Sequence, residues 1–345
     1  MTIRKIILAF VVIFIVLTVF RAFKNSDPVK VPSPQTNPLP KINPNVNIEP
    51  VISNSFTLGP GTYKFSLAHD GRTRNYEVHA PPNYNGATPQ PAVIYLHGGG
   101  GSIEAARKDG LDRSADQFGF ILIVPAGTGP LPNRLLTWNG GKTNNENCCG
   151  YAAENNVDDV GFIAKMLAEV ETKFNLDQKR IYATGISNGG LMSYRLACDL
   201  SDKIAAVAAV AAAGTPDNCA NPRPVPVMHI HGTADPCALF AGGASNGCFG
   251  AKTHNMLSAE RMVASWLQNN GCSTVKTNGY QRGAASCVVY NQCRAGSAVE
   301  FCSITGGGHT WPAGSQYLPA RIVGPVSNDI SFEQIWEFFK QHPLR

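Results

Sequence analysis

A serine hydroxyl attacks a carbonyl carbon only when a base removes its proton and donors receive the charge that forms on the carbonyl oxygen. The sequence holds residues suited to each of these tasks. Gly185-Ile186-Ser187-Asn188-Gly189 is a G-x-S-x-G set between the apolar run Arg180 to Thr184 and a stretch of small residues. That context predicts a sharp strand-to-helix turn with Ser187 at its tip as nucleophile. Glycines on both sides are needed because neighbouring backbone crowds such a turn. Downstream, Asp235 closes His231-Gly232-Thr233-Ala234-Asp235, and His309 sits in Gly306-Gly307-Gly308-His309-Thr310-Trp311-Pro312. Each follows a strand-like run, and the chain order Ser, Asp, His is that of a hydrolytic triad on an open α/β sheet. His309 would take the Ser187 proton and return one to the leaving alcohol. Asp235 would orient the imidazole and stabilise its charged form. His97-Gly98-Gly99-Gly100-Gly101, just after the run Ala92 to Leu96, would supply a backbone N–H to the oxyanion. Gly99 is the first choice in that loop and Gly100 the next, with the Asn188 N–H as second donor. Trp138 and Trp311 either wall an acyl or aryl pocket or pack beneath the loops, and both readings stay open.

Other signals carry less. Gly140-Gly141-Lys142-Thr143 has the tail of a phosphate-binding loop, but its first glycine would fall on Leu136 and no strand leads in. Asp158-Asp159 opens a helical pattern, where carboxylates favour the positive end of the helix dipole over a metal or a second acid. None of the ten cysteines forms a C-x-x-C pair, so the spacing does not suit zinc, and no metal or cofactor is expected. The net charge of +5 has part of its excess near the N-terminus, and no Lys/Arg block suggests nucleic acid.

The elements that must position these residues follow from hydrophobic periodicity. With 43% hydrophobic and 15% charged residues, the 345-residue chain is suited to a compact body. Tyr63 to Leu67 and Arg74 to Val78 alternate as strands around the turn Asp70-Gly71, which predicts an antiparallel hairpin. The continuous apolar runs Ala92 to Leu96, Phe120 to Val124, Ala205 to Ala213, Val225 to Ile230 and Val299 to Ile304 read as strands buried on both faces. Helical spacing covers Ile103 to Gln117, Val157 to Phe174, Gly189 to Cys198, Ala259 to Leu267 and Phe332 to Lys340. Strands alternating with helices predict a doubly wound α/β domain, a mostly parallel central sheet with helices on both faces, and with the Ser187 turn and the Ser, Asp, His order this reads as an α/β-hydrolase fold. Active sites of such sheets gather beyond the carboxyl ends of the strands, where Ser187, Asp235 and His309 all fall.

Ahead of this body, residues 1–26 read as a signal anchor or signal sequence, with Arg4 and Lys5 preceding the apolar run Ile6 to Phe20. The bulky, basic Arg21-Ala22-Phe23-Lys24 offers no good cleavage site, which favours an uncleaved anchor. Residues 27–54 hold recurring prolines and read as a semi-extended stalk, and the hydrolase body spans 55–345. Membrane contact is therefore expected only through the N-terminal segment. The even cysteine count points to disulfides and an extracytoplasmic site. Cys237 and Cys248 bracket a Gly/Ala/Ser/Asn-rich loop that they could staple beside Asp235, and Cys287 with Cys302 makes a second local pair. Nothing in Ala234 to Asn255 reads as an amphipathic lid, so short-chain, hydroxyalkanoate or aryl esters should be cleaved in preference to long-chain triglycerides.

Taken together, His97-Gly98-Gly99-Gly100, Asn147-Cys148-Cys149-Gly150, Val157-Asp158-Asp159-Val160, the Ser187 turn, His231 to Asp235 and Gly308-His309-Thr310-Trp311-Pro312 resemble the polyhydroxybutyrate depolymerases and the feruloyl or acetyl xylan esterase-like secreted hydrolases. The resemblance spans residues 63 to 341 and implies a serine carboxylic-ester hydrolase acting through an acyl-enzyme, on a small-molecule or polymer ester. It also implies that Cys272 pairs with Cys293, which leaves Cys148, Cys149, Cys198 and Cys219 for the remaining bridges. HGGGG and Asn-Cys-Cys-Gly together place the polyester reading slightly ahead of the feruloyl or acetyl xylan alternative. A prolyl-oligopeptidase-like peptidase lacks room for its usual added domain, and a catalytically dead binding module would have lost one of the three triad residues.

Overall fold

Ten strands form the central sheet: β1 (Gly61–His69), β2 (Arg72–Ala80), β3 (Gln90–Leu96), β4 (Ile121–Pro125), β5 (Leu176–Ile186), β6 (Ala206–Val210), β7 (Val227–Gly232), β8 (Thr277–Arg282), β9 (Ala285–Tyr290) and β10 (Val299–Ile304). Their spatial order is β1-β2-β4-β3-β5-β6-β7-β10-β9-β8. The six strands from β4 to β10 run parallel, and an antiparallel hairpin closes each edge. The computed structural model describes residues 58–143, 146–214, 219, 223–245, 247–248 and 254–345. The anchor and stalk expected over residues 1–54 lie outside the described residues. Among the described residues no helix is long and apolar enough to cross a membrane.

The continuous apolar strands are buried because both faces are covered. On one face, α2 (Asp159–Lys173), α3 (Asn188–Asp199) and α4 (Ala259–Asn269) pack Phe162, Ile163, Leu196, Met262 and Trp266 into one apolar cluster with Ile94, Leu96, Ala183 and Val207. On the other, α1 (Leu111–Phe118) and α5 (Phe332–Gln341) place Leu111, Ala115, Trp336 and Phe339 against Val93, Tyr95, Tyr182 and Met228. The alternation of pointing direction along each strand sorts its residues between these two layers. Ser331 closes the start of α5 with a reciprocal capping box to Gln334.

Two expectations change, and one pair of strands is unforeseen. The helix over 103–117 is two pieces, Ala105–Lys108 and α1, because Gly110 takes a left-handed conformation (φ 75°) between them. Its neighbour Asp109 accepts a short hydrogen bond from the Tyr95 hydroxyl, which ties the break to β3. The strand expected to reach Ala213 stops at Val210, where Ala211 turns to positive φ. The hairpin of β8 and β9 carried no clear sequence signal: β8 is a polar, largely exposed edge strand.

All ten cysteines pair: Cys148–Cys149, Cys198–Cys219, Cys237–Cys248, Cys272–Cys293 and Cys287–Cys302. Cys287 and Cys302 face each other directly across β9 and β10, so that bridge fastens the edge hairpin to the parallel sheet. Peptide mapping without reduction is expected to return these five pairs. Reduction is expected to lower stability by about 2–4 kcal/mol for each bridge that closes a loop of this size. A map dominated by free thiols in protein from an oxidising compartment would reject the pairing.

Candidate active site

The chain leaves β5 and enters α3 through Ser187 without an intervening loop. Ser187 adopts φ 58° and ψ −122°, a strained conformation for a residue with a side chain. Its N–H donates to the Val210 carbonyl at 2.8 Å, which anchors the strain to β6. The flanking glycines are forced by contact. A Cβ on Gly185 would lie 2.5 Å from the Leu96 carbonyl oxygen, and one on Gly189 2.1 Å from it. Ser187 is half-buried, and its Oγ makes no hydrogen bond among the described residues.

The glycine loop after β3 lies on this turn. A Cβ on Gly98 would touch the Ser187 Cβ at 3.6 Å, and one on Gly99 the Asn188 Cβ at 3.6 Å. The Gly99 N–H has no backbone acceptor among the described residues. The first ladder bond of α3 is Leu191 N–H to Ser187 O, so the Asn188 N–H precedes the ladder and is available at the positive end of the helix. Gly100 does not fill the donor role expected of it: its N–H donates to the Leu136 carbonyl at 2.8 Å. That bond instead ties the glycine loop to the 128–137 loop.

Two side chains fix this loop from below. His97 is fully buried, accepts the Gly127 N–H at Nε2 (3.0 Å) and donates from Nδ1 to the Gly98 carbonyl (2.8 Å). Burial pushes its pKa down to about 4, so it stays neutral with one fixed tautomer. The Asn188 side chain clamps the Trp138 backbone on both sides, accepting from its N–H at 2.6 Å and donating to its carbonyl at 2.9 Å. The Trp138 indole donates to the His97 carbonyl (3.0 Å) and is 0% exposed. Trp311 is 1% exposed and packs edge-on against Tyr95. The aromatic-wall expectation is therefore corrected for both tryptophans: each ring is consumed in packing beneath the loops and presents no face to a cleft.

Asp235 and His309 come together. The His309 Nδ1 donates to the Asp235 Oδ2 at 2.8 Å, with both residues nearly buried. The other oxygen, Oδ1, accepts from the Cys237 and Ala238 N–H groups, each at 2.8 Å. Burial alone would raise the Asp235 carboxyl, but the facing His309 and the hydrogen bonds from His231 and His309 hold it well below the usual carboxylate range. The bridge from Cys237 to Cys248 thus staples the segment whose amides hold the carboxylate. The structure therefore joins Asp235 to His309 and Gly99 to Asn188, and it sets Ser187 at the end of β5, one strand removed from β7, without a hydrogen bond to His309. Contacts between nucleophile and base are often long in free enzymes and tighten with substrate.

Residues that the sequence did not single out complete the surroundings. Tyr317 donates from its hydroxyl to the His309 carbonyl (3.1 Å) and remains 42% exposed, which makes it an accessible aromatic ring beside His309. Arg74 is buried, pairs with Asp159 at 2.6 Å and covers the Phe162 ring. Asp159 in turn accepts the Asn139 N–H (2.8 Å), which fixes the backbone next to Trp138. Asp158 caps α2 through the Gly161 N–H, as the helix-start reading expects. No single signal marks Arg74, since an arginine in an alternating strand is exposed far more often than buried.

A parallel sheet covered on both faces, with a strained serine on the strand-to-helix turn and an Asp–His pair beyond two later strands, defines an α/β-hydrolase. Residues 68–300 match a family model described as "Putative esterase", which is most of the body, and the chain belongs to that family. It is 31% identical over 252 residues to feruloyl esterase B of Piromyces equi, covering 68% of this chain and 42% of that protein. It is 27% identical over 295 residues to "Probable feruloyl esterase C" of Aspergillus flavus, covering 83% of this chain and 91% of that protein. The solved acetyl xylan esterase of Aspergillus awamori superposes with a TM-score of 0.53 at 14% identity, over 81% of this chain and 99% of that one, a likeness of fold alone. The chain spans less than half the length of the Piromyces relative. The protein is a carboxylic-ester hydrolase of that esterase family. The sequence relatives named here are feruloyl esterases, so the polyester reading loses its place ahead of the alternative.

Proposed function

We propose that this protein cleaves feruloyl or acetyl esters of plant-wall polysaccharide, outside the cytoplasm, by way of an acyl-enzyme on Ser187. The observation that carries the mechanism is the 2.8 Å Asp235–His309 hydrogen bond, which puts the proton on Nδ1 and leaves Nε2 free to act as base. His309 takes the Ser187 Oγ proton as Oγ bonds the ester carbon. The oxyanion is received by the Gly99 and Asn188 N–H groups. Collapse expels the alcohol, which takes the proton from His309. Water then repeats the sequence, its proton passing to His309, and the free acid leaves with Ser187 restored. The five cysteine pairs support an oxidising compartment, and the apolar run Ile6 to Phe20 supports tethering at its N-terminus.

The substrate assignment rests on the names of the relatives and on Tyr317. An exposed ring held against the His309 carbonyl suits stacking on an aryl acid. The test is a panel of methyl ferulate, acetylated xylo-oligosaccharide, hydroxybutyrate oligomers and p-nitrophenyl palmitate. Turnover of either of the first two is expected to exceed that of the last two by at least about tenfold in kcat/KM, the size of a good shape match in a pocket. Preference for hydroxybutyrate oligomers would restore the polyester reading, and preference for palmitate would overturn both. In Tyr317→Leu, the ratio of methyl ferulate to acetyl ester kcat/KM is expected to fall about tenfold at most, the worth of one aromatic pair. An unchanged ratio would remove Tyr317 from the substrate site.

A further inference from the structure

Behind Asp235 a row of buried polar side chains runs away from the active site into the apolar layer beneath α3. The Tyr194 hydroxyl lies 2.6 Å from the His229 Nδ1. The His229 Nε2 lies 3.1 Å from the His231 Nδ1, and the His231 Nε2 lies 2.7 Å from the Ala238 carbonyl oxygen and 3.4 Å from the Asp235 Oδ2. His229 and His231 are on the same side of β7, two residues apart, and both are fully covered. Phe301 packs on His229, Phe240 on His231 and Trp266 on Tyr194, so the row is closed to water along its length.

The order of donors in this row follows from its far end. A carbonyl oxygen only accepts, so the His231 Nε2 carries a proton and donates to Ala238, with Asp235 as the second, longer acceptor. With that proton on Nε2, the His231 Nδ1 is the lone-pair side of the ring and accepts from the His229 Nε2–H. The His229 Nδ1 in turn accepts from the Tyr194 O–H. Burial, and then the neighbouring His231, hold the His229 pKa far below the ordinary range, which keeps that ring neutral. Every proton in the row therefore points toward Asp235.

We infer that Tyr194, His229 and His231 are positioning residues of the esterase reaction, a one-directional hydrogen-bond chain that holds the Asp235 carboxylate in the orientation His309 needs. The inference rests on the triad reading above. Asp235 accepts from the Cys237 and Ala238 amides on Oδ1 and from His309 on Oδ2, and His231 adds a fourth donor beside Oδ2. His231 also holds the Ala238 carbonyl, whose own N–H is one of those donors, so it braces the carboxylate twice. The hydroxyl of Tyr194 controls the far end. Without it, His229 loses the donor that fixes its tautomer. A flipped His229 would set two lone pairs against each other at His231, or flip His231 as well and turn a lone pair toward Asp235. The ionisable groups facing this end are His309 from the loop after β10, Tyr317 from the 311–324 segment and the two histidines of β7.

The experiment has two arms on the full-length protein. Nitrogen NMR of histidine in the wild type at neutral pH is expected to show the ring proton of both His229 and His231 on Nε2, with a lone pair on each Nδ1. A charged or Nδ1–H His231 would overturn the inference. In Tyr194→Phe, kcat on methyl ferulate or an acetyl ester is expected to fall about three- to tenfold, the worth of one neutral hydrogen bond. KM should stay unchanged, and the acid limb of kcat/KM should move to higher pH, because a carboxylate with a weakened donor faces His309 with more of its charge. His231→Leu should enlarge both changes. A purely structural role would lower the melting temperature without moving the acid limb. Wild-type kcat and an unmoved limb in folded Tyr194→Phe would overturn the inference. Ser187→Ala in parallel separates this outcome from failure of the triad reading: turnover surviving that change would reject the triad, and its loss with an unaffected Tyr194→Phe would reject only the chain.

Discussion

Ser187→Ala is expected to lower kcat for ester hydrolysis about 10⁵- to 10⁶-fold, the loss found when a triad nucleophile is removed. The fold should survive. Alanine meets the same positive-φ constraint as serine, so the strain at the turn is unchanged. The Ser187 Oγ makes no hydrogen bond among the described residues, so its removal orphans no partner. The anchor of the turn is backbone, the Ser187 N–H on Val210 O, and it remains. Activity should still exceed the uncatalysed rate, because the Gly99 and Asn188 N–H groups still face a bound carbonyl. The check is a progress curve with methyl ferulate or p-nitrophenyl acetate beside a thermal melt. A melting temperature within a few degrees of wild type is expected, since a change of about 1 kcal/mol shifts a body of this size by about 2–4 °C. Turnover close to wild type would remove Ser187 from the mechanism.

The sequence carries the site well where local chemistry dictates structure. Gly185 and Gly189 are required by a backbone approach that any residue with a Cβ would block, so the turn is written in the residues themselves. The buried parallel strands are legible because a strand covered on both faces has no polar side to show. What fails to show is whatever depends on a partner far along the chain. Gly100 reads as a donor until Leu136, across an irregular loop, takes its N–H. Trp138 and Trp311 have the composition of a binding wall, and only the tertiary structure reveals that His97, Asn188 and Tyr95 already occupy them. The edge strand β8 is polar and exposed, so neither periodicity nor burial marks it. The chain behind Asp235 had a visible trace. His229-x-His231 on an apolar strand places two polar rings on one buried face, and buried polar groups are hydrogen-bonded as a rule.

Asp235→Asn is expected to lower kcat about 10³- to 10⁴-fold while leaving the protein folded, and the reason lies in which oxygen each donor uses. The Cys237 and Ala238 amides both donate to Oδ1, and backbone N–H groups cannot reverse their direction. An asparagine must therefore place its carbonyl oxygen there and its NH₂ toward His309 and His231. An NH₂ facing the His309 Nδ1 needs an acceptor, so the imidazole moves its proton to Nε2. That tautomer has no lone pair to receive the Ser187 proton. The change also removes a stability term. The Asp235 pKa is depressed on folding, so the folded state gains from the ionised group at pH above the unfolded carboxyl value of about 3.9 and loses that gain as pH falls below it. Wild type should accordingly lose melting temperature on acidification from pH 5 to 3 more steeply than Asp235→Asn. Raising pH should not restore turnover to the variant, because the defect is a misplaced proton and not a protonated base. Recovery of wild-type kcat at alkaline pH, or a fall of less than about tenfold at neutral pH, would show that Asp235 does not set the His309 tautomer, since tautomer loss alone costs far more than that.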